Sequence, residues 1–191
     1  LIQQRQMACD LTLGRKEPCK DSVGGIMTAY FIAWADIDSV TITYDATDTD
    51  MIDQIVASAD SVNAYKYELK GGSSLEQTVT SSRENGTTFY EQALSVSLKK
   101  LTKEDHKELK LLTYGRPLVI VEDKNNNLFL CGLDHGMDVN GGTIATGTAL
   151  GDFSGYTLTL SGEEQLPANF CVIAGADGDA KVTALGLTVV Q

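Results

Sequence analysis

Residues 74–98 read SLEQTVTSSRENGTTFYEQALSVSL, and this stretch decides the predicted fold. Apolar and polar residues alternate along both halves, which is typical of two β-strands that each bury one face. The pair Asn85-Gly86 lies between the halves and favours a tight turn in which both central residues take a positive φ. The sequence therefore predicts one long β-hairpin with two unlike faces.

The two predicted faces of this hairpin differ in chemistry. The apolar face should pack on the body of the protein and includes Leu75, Val79, Leu94, Val96 and Leu98. The opposite face carries small polar and acidic side chains, with no large apolar residue expected among them, and should face water. Its members are Glu76, Thr78, Thr80, Ser82, Glu91, Ser95 and Ser97.

An amphipathic helix is predicted directly after the hairpin, over residues 101–114. Thr102 is the expected N-cap, and the acidic residues that follow it complement the positive end of the helix dipole. Leu109 and Leu112 form the stripe that should pack on the core. Gly115 and the proline two residues later end the helix.

Strand patterns flank the hairpin and the helix. Residues 26–34 are rich in β-branched and aromatic residues, and 118–122 form a continuous apolar run. Residues 51–59 fit a short helix capped by Asp50 or a loop, and 182–190 are predicted as the last strand. The expected fold is mainly β: an antiparallel β-sandwich or open barrel with one flanking α-helix and a long β-hairpin.

Length and composition favour one folded unit. The chain has 191 residues, of which 42% are hydrophobic, and this is enough to build a real core. Residues 1–191 are therefore predicted to form a single domain, with 1–24 as an extended N-terminal arm. Trp34, the one tryptophan, lies in an apolar stretch and is expected in the core.

The charge balance excludes two classes of partner. With 26 acidic and 15 basic side chains the net charge is −11, so binding to nucleic acid through its phosphates is not expected. An anionic membrane surface is excluded for the same reason, and no run approaches the ~18 apolar residues of a membrane helix. Residues 36–60 and 125–180 contain acids and no Lys or Arg, which predicts one plainly negative face.

Groups that could carry chemistry are few. Asp134, His135 and Asp138 could be drawn as a metal or acid–base site, but a turn between strands accounts for the same residue types. No nucleophile stands beside a base, so the chain is not predicted to be an enzyme and no cofactor or metal is expected. Weak calcium binding by an acidic cluster is an alternative to a solvated loop; the cluster is Asp45, Asp48, Asp50 and Asp53.

The four cysteines show no metal-binding spacing. They stand at Cys9, Cys19, Cys131 and Cys171, and we expect small buried side chains. A Cys9–Cys19 bridge across the intervening turn is the alternative.

Four further segments follow the hairpin and the Lys/Glu-rich helix: GRPLVIVED at 115–123, LFLCG at 128–132, GGTIATG at 141–147 and GDFSGYTLTL at 151–160. In the order and character of these elements, residues 74–169 resemble the tail tube subunits of long-tailed bacteriophages, and related tubes occur in contractile injection systems. The resemblance covers about half of the chain.

This resemblance implies a structural virion protein. Six copies would form a ring, and rings would stack into a hollow tube, with hairpins of neighbouring copies joined into one β-barrel around the lumen. The implied partners are further copies, other phage tail proteins and genomic DNA that passes without specific binding. The implied location is the virion tail, after assembly in the host cytoplasm.

The polar face of the hairpin fits this expectation as a lining of the lumen, because weakly acidic side chains repel a polyanion and let it slide. Two other classes stay open. One is a different β-rich virion part: a tail terminator, a head–tail connector or a decoration protein. The other is a monomeric Ig-like binding module, which would need an exposed aromatic platform.

Overall fold

The computed structural model describes residues 11, 13–57, 62–172 and 174–191. Its two α-helices are α1, Lys103–Tyr114, and α2, Gly178–Ala184, and a 3₁₀ helix spans Trp34–Ser39. Its strands are β1 Ile26–Ile32, β2 Val40–Tyr44, β3 Ile52–Ala57, β4 Val62–Glu68, β5 Ser74–Ser82, β6 Thr87–Lys99, β7 Leu118–Asp123, β8 Leu128–Cys131, β9 Asp138–Ala145, β10 Gly155–Glu164, β11 Asn169–Phe170 and β12 Leu187–Val190.

The strands form two main sheets and one separate hairpin. The larger sheet has six strands in the order β11-β8-β7-β1-β4-β12, and the smaller has four in the order β5-β6-β10-β9. Strands β2 and β3 form a separate two-stranded sheet, and Ile52 of β3 makes one isolated parallel bridge to Cys171. All pairings in the two main sheets are antiparallel except that of β12 with β4. The predicted mainly β fold with a flanking helix is confirmed.

The first hydrophobic core lies between the two main sheets. Leu94 and Leu160 point into it from the four-stranded sheet, and Phe31 and Val119 from the six-stranded sheet. Leu109 of α1 packs against the same cluster, so the helix covers part of this core. The predicted packing residues Leu75, Leu98 and Leu112 are half-buried against it, and Val96 is fully buried.

A second core lies on the other face of the six-stranded sheet. Strands β1 and β7 contribute Ile32 and Ile120, and a third layer formed by β2, β3 and α2 covers them. Ile55 and Val182 reach the core from that layer. The third layer explains why β1 and β7 are apolar at consecutive positions, since both of their faces are buried.

Charged and polar groups are buried under α2. Lys181 is 0% exposed and contacts the carboxylate of Glu122, which is 2% exposed, with 3.4 Å between Nζ and Oε1. The side-chain oxygen of Asn126 also accepts a hydrogen bond from this ammonium group. A Cβ atom at Gly178 would collide with the same carboxylate, so glycine lets α2 approach the sheet closely.

A second polar contact joins α2 to the edge of the six-stranded sheet. Asp179 accepts hydrogen bonds of 2.9 Å from the hydroxyl of Tyr30 and from the ammonium group of Lys66. Partial burial acts to raise the pKa of the Asp179 carboxyl, but the hydrogen bonds from Lys66 and Tyr30 lower it more, so this pKa lies below its ordinary value. Burial and the bond to Asp179 raise the pKa of Tyr30.

Helix α1 follows its sequence pattern closely. The side chain of Thr102 accepts a hydrogen bond of 3.1 Å from the backbone N–H of Asp105, as predicted for the N-cap. The helix ends at Tyr114 with Gly115 as its C-cap.

Three sequence assignments are corrected by the structure. Residues 52–57 form strand β3, paired with β2, and not a helix capped by Asp50. Residues 178–184 form α2, so only residues 187–190 of the predicted last strand are extended. The Gly/Thr-rich segment 138–145, for which no strand was predicted, is strand β9.

The hairpin turn and Trp34 also differ from expectation. Strand β5 ends at Ser82 opposite Thr87, so four residues form the loop, and of these only Gly86 has a positive φ. Trp34 begins the 3₁₀ helix and is only half-buried, with the guanidinium carbon of Arg116 5.7 Å from its ring centroid.

Predictions for the arm and the cysteines have mixed outcomes. Residues 13–24 of the predicted arm are exposed and in neither helix nor strand, while residues 1–10 and 12 lie outside the described residues. Cys131 and Cys171 are buried. Burial raises the pKa of the Cys171 thiol to about 12, and it raises the pKa of the Cys131 thiol as well. Cys19 is exposed, contrary to expectation, and Cys9 lies outside the described residues.

Candidate assembly surface

The four-stranded sheet leaves one of its faces uncovered. Strand β10 buries Leu158 and Leu160 against the first core, whereas Thr157 and Thr159 point to the opposite side and are half-exposed. Because residues directly opposite each other in an antiparallel pair share a face, the register identifies every residue on the uncovered side.

We call this side the polar sheet face. It contains Ser74, Glu76, Thr78, Thr80 and Ser82 of β5, Thr87, Phe89, Glu91, Ala93, Ser95 and Ser97 of β6, Thr157, Thr159, Ser161 and Glu163 of β10, and Asp138, Gly141 and Thr143 of β9. The sheet thus brings together all seven residues that the sequence predicted on one face of the hairpin. It also extends that face across β10 and β9, which the sequence analysis did not include.

The charge on the polar sheet face is negative. Its ionisable members are four acids, Glu76, Glu91, Glu163 and Asp138. By the register, one base also lies on this side of the sheet: Lys99, at the very end of β6. The central part of the face therefore presents hydroxyl groups and carboxylates.

Phe89 is an exception to the predicted composition of this face. It pairs with Thr80 and therefore lies among the polar side chains, although no large apolar residue was expected there. It is half-buried at the edge of a cavity that is described below.

Val79 was predicted to pack in the core and is 58% exposed. It lies on the inward side of the hairpin, opposite Tyr90, but in the part that extends beyond the body of the protein. Burial on this side ends near Gln77, whose side-chain oxygen accepts a hydrogen bond of 2.8 Å from the N–H of Ala168. The overhanging tip therefore has an apolar side chain without a core beneath it.

Buried polar residues support the inward side of the sheet near this tip. Gln92, opposite Gln77, is 1% exposed and accepts a hydrogen bond of 2.9 Å from the N–H of Gly132. The carboxylate of Glu164 is 3% exposed and accepts bonds from the N–H groups of Asp134 and His135. Sequence analysis missed these residues; their inward positions in the alternating pattern were the available signal.

Both edges of the four-stranded sheet are open among the described residues. β5 forms one edge and β9 the other, and neither pairs with a further strand. Because successive strands alternate in direction, β5 and β9 run in opposite directions. Each edge offers a row of backbone donors and acceptors to another strand.

A cavity of about 590 Å³, here called the notch, lies at the end of the sheet where the hairpin overhangs. Its lining includes Phe89, Arg116, His135, Asp138 and Glu163. β9 begins at Asp138, opposite Ser161 of β10, so in the described chain residues 162–164 of β10 have a strand on one side only. The open end of β10 forms part of the notch.

The candidate metal or acid–base residues near the notch do not converge. His135 Nδ1 lies 3.4 Å from Glu164 Oε2, and that carboxylate binds the N–H groups of the turn. Within the described ranges, no three His, Cys, Asp or Glu side chains are grouped to hold a metal ion. The turn interpretation of Asp134, His135 and Asp138 therefore accounts for the geometry.

The other acidic cluster is also a turn. Asp45 Oδ1 accepts hydrogen bonds from the N–H groups of Asp48 and Thr47, which hold the pKa of the Asp45 carboxyl below its ordinary value. Asp45 and Asp48 thus shape the connection between β2 and β3. None of the described helices is long and apolar enough to cross a membrane.

A scan against protein-family models finds no match, and searches of curated proteins and of solved structures find none either. The function is therefore inferred from the geometry of the chain and from the resemblance of residues 74–169 to tail tube subunits.

Proposed function

We propose that the chain is a structural subunit of a phage-type tail tube, which assembles into rings that stack around a lumen. The observation that carries the proposal is the four-stranded sheet, which has one bare acidic face and two open edges. A monomeric β protein that exposes two long edges risks uncontrolled strand addition, and closure into a ring removes both edges.

The directions of the edge strands support ring closure. β9 of one copy would lie antiparallel to β5 of the next, so the alternation within the sheet continues across the boundary. Six copies would contribute about 24 strands, which at a spacing of ~4.8 Å and a tilt of ~40° close a barrel of roughly 48 Å backbone diameter. Such a barrel would leave an open channel wide enough for a nucleic acid duplex.

The polar sheet face would line that channel. Its hydroxyl groups are neutral, and its carboxylates would repel the phosphates of a passing duplex, so the nucleic acid would meet few adhesive contacts. The first core faces away from the channel and joins the lining to the six-stranded sheet. The virion tail and the other tail proteins follow from this proposal as location and partners.

Electron microscopy of the purified protein over a concentration series tests the proposal. We expect hollow tubes or stacked rings above a critical concentration. Single closed rings that never stack would instead favour a tail terminator or connector. Particles that remain monomeric at every concentration would contradict ring assembly and favour a binding module.

The lining is tested by reversing its charge. In tubes of the Glu76→Lys, Glu91→Lys variant, we expect double-stranded DNA to be retained at low salt and released as salt rises, because lysines release counterions from the phosphates. Retention is measured by co-sedimentation of labelled DNA with the tubes. The matched control is Glu104→Lys, Glu108→Lys, which makes the same change of charge on α1, outside the four-stranded sheet. Equal retention by both variants would contradict the lining.

A further inference from the structure

The loop between β9 and β10, residues 146–154, is held in one shape by its own hydrogen bonds. Asp152 Oδ2 accepts bonds of 2.9 Å and 2.7 Å from the N–H groups of Thr148 and Ala149. The N–H of Asp152 donates back to the carbonyl of Ala149 over 3.1 Å, and that of Lys100 donates to Ser154 over 2.8 Å. We call this preformed loop the knob.

The knob presents apolar side chains to solvent. Leu150 at its apex is fully exposed, Phe153 is 40% exposed, and Ile144 at the end of β9 is 60% exposed. A loop held in one shape pays little conformational entropy when it binds, so an exposed leucine on it is suited to a contact with another surface. Nothing in the described part of the same chain covers Leu150.

The knob and the notch lie at opposite ends of the same sheet. β10 begins at Gly155, directly after the knob, and ends at Glu164, in the wall of the notch. Ten residues of extended strand separate the two features by about 30 Å. Copies placed end to end along the strand direction would therefore bring a knob to a notch.

The charges at the two ends are complementary. The knob is flanked by two exposed bases, Lys99 and Lys100, which outnumber its one acid, Asp152, whose carboxylate is bonded to N–H groups of the loop itself. The notch carries Asp138 and Glu163, both exposed, against Arg116, whose Nε lies 3.7 Å from the Asp138 carboxylate. A positive end would meet a negative end, which favours head-to-tail contact and disfavours contact between two like ends.

We infer that the knob of one copy docks into the notch of a second copy, with Leu150 against the apolar side of Phe89 and with Lys99 and Lys100 facing Asp138 and Glu163. The two surfaces are different, so the contact does not close on itself and can add copies without limit. It rests on the proposed function only for its location between successive rings. The lateral contact of β5 with β9 is separate from it.

A charge exchange tests the docking. One variant carries Lys99→Glu and Lys100→Glu, and the other carries Asp138→Lys and Glu163→Lys. Each alone places like charges at its own contact and should associate end to end at least about tenfold more weakly than the wild type. Mixed in equal amounts, they should associate again, because each knob now meets a notch of opposite charge. Sedimentation velocity measures association of each variant and of the mixture.

Leu150→Ser tests the apolar part of the contact. Leu150 would be buried in the docked pair, so its loss should raise the concentration needed for end-to-end association by more than about tenfold. Leu111→Ser removes an exposed leucine from α1 and should leave that concentration unchanged, since Leu111 is 56% exposed and belongs to neither the knob nor the lining of the notch.

The outcomes separate this inference from the proposed function. A mixture that associates no better than its components, or a Leu150→Ser variant that behaves like Leu111→Ser, would overturn the docking even if rings form. If the mixture associates again but forms linear filaments without closed rings, this would support the docking and contradict the proposed ring assembly. Single rings in Leu150→Ser, beside tubes in the wild type, would support both.

Discussion

The six-stranded sheet is covered on both faces, whereas the four-stranded sheet is covered on one. In β1 every residue except Met27 is buried, and the first five residues of β7 are buried as well. In β6 burial alternates through Gln92, Leu94 and Val96, and in β5 no residue is fully buried. One chain thus contains an interior sheet, which is buried on both faces, and a boundary sheet, the four-stranded one, which is exposed on one face.

This difference shows what a bare face requires of a sequence. A strand between two layers needs apolar residues at consecutive positions, while a boundary strand needs them at every second position only. The remaining positions of β6 and β10 are free to carry small hydroxyl groups and acids, which stay hydrated. The polar sheet face can therefore be specialised without loss to the first core.

The largest expected effect comes from the covered sheet. In Lys181→Ala the carboxylate of Glu122 would remain buried without its cation, which should lower the free energy of unfolding by about 3–5 kcal/mol. Urea denaturation measures the loss. As a control, Lys181→Met combined with Glu122→Gln should cost clearly less than Lys181→Ala, because no lone charge stays buried. A double variant less stable than Lys181→Ala would be inconsistent with an ion pair.

Two neighbouring residues of β10, Thr159 and Leu160, allow the two faces of the four-stranded sheet to be compared directly. Leu160 is 0% exposed between the sheets, so Leu160→Ala should lower the free energy of unfolding by about 2–5 kcal/mol. Thr159→Ala, one residue earlier on the polar sheet face, should change it by less than about 1 kcal/mol. Thermal and urea unfolding check both values. Similar losses at the two positions would mean that the polar sheet face is covered in the monomer.

The smallest expected effect is a loss of stability at acid pH through the carboxyl group of Asp179. Because the pKa of Asp179 is lowered in the folded chain, its contribution to stability is present above the ordinary aspartate value of ~3.9 and is lost as pH falls through the lower folded value. Between about pH 5 and pH 2, the wild type should therefore lose more unfolding free energy than Asp179→Asn. Parallel pH dependences in the two proteins would refute the assignment of this carboxyl.

Local signals were sufficient for the hairpin and for α1. Alternation gives a strand and its buried face together, and Thr102 with Gly115 marks both ends of the helix. Strand β3 was missed because Ile52 and Ile55 have a helical spacing. The register of β3 with β2 shifts between Thr43 and Tyr44. This β-bulge lets Ile52 and Ile55, three positions apart, both be buried on the same side of β3.

Other elements depend on contacts that no local pattern contains. Strand β9 is rich in polar residues and glycine, and it is a strand because β10 provides its partner. Helix α2 did have a local signal, since the side chain of Asp177 accepts a bond from the N–H of Ala180 as an N-cap, but its seven residues are too few for a clear period.

The candidate surface was predictable in part. Alternation placed Glu76 and Glu91 on one face, and the register agrees. The exposure of Val79 was not predictable, because it depends on where the body beneath the hairpin ends. The notch and the knob required the whole sheet, since they lie at opposite ends of a strand whose neighbours are distant in sequence.

The parallel pairing of β12 with β4 has a consequence for the order of events during synthesis. Val62 emerges from the ribosome long before Leu187, its partner, so the edge of β4 stays unpaired in the growing chain. The β5–β6 hairpin closes locally, whereas this pairing must close a very long loop and is expected to form late. Completion of the six-stranded sheet and docking of α2 would then be the last step of folding, after the boundary sheet has formed.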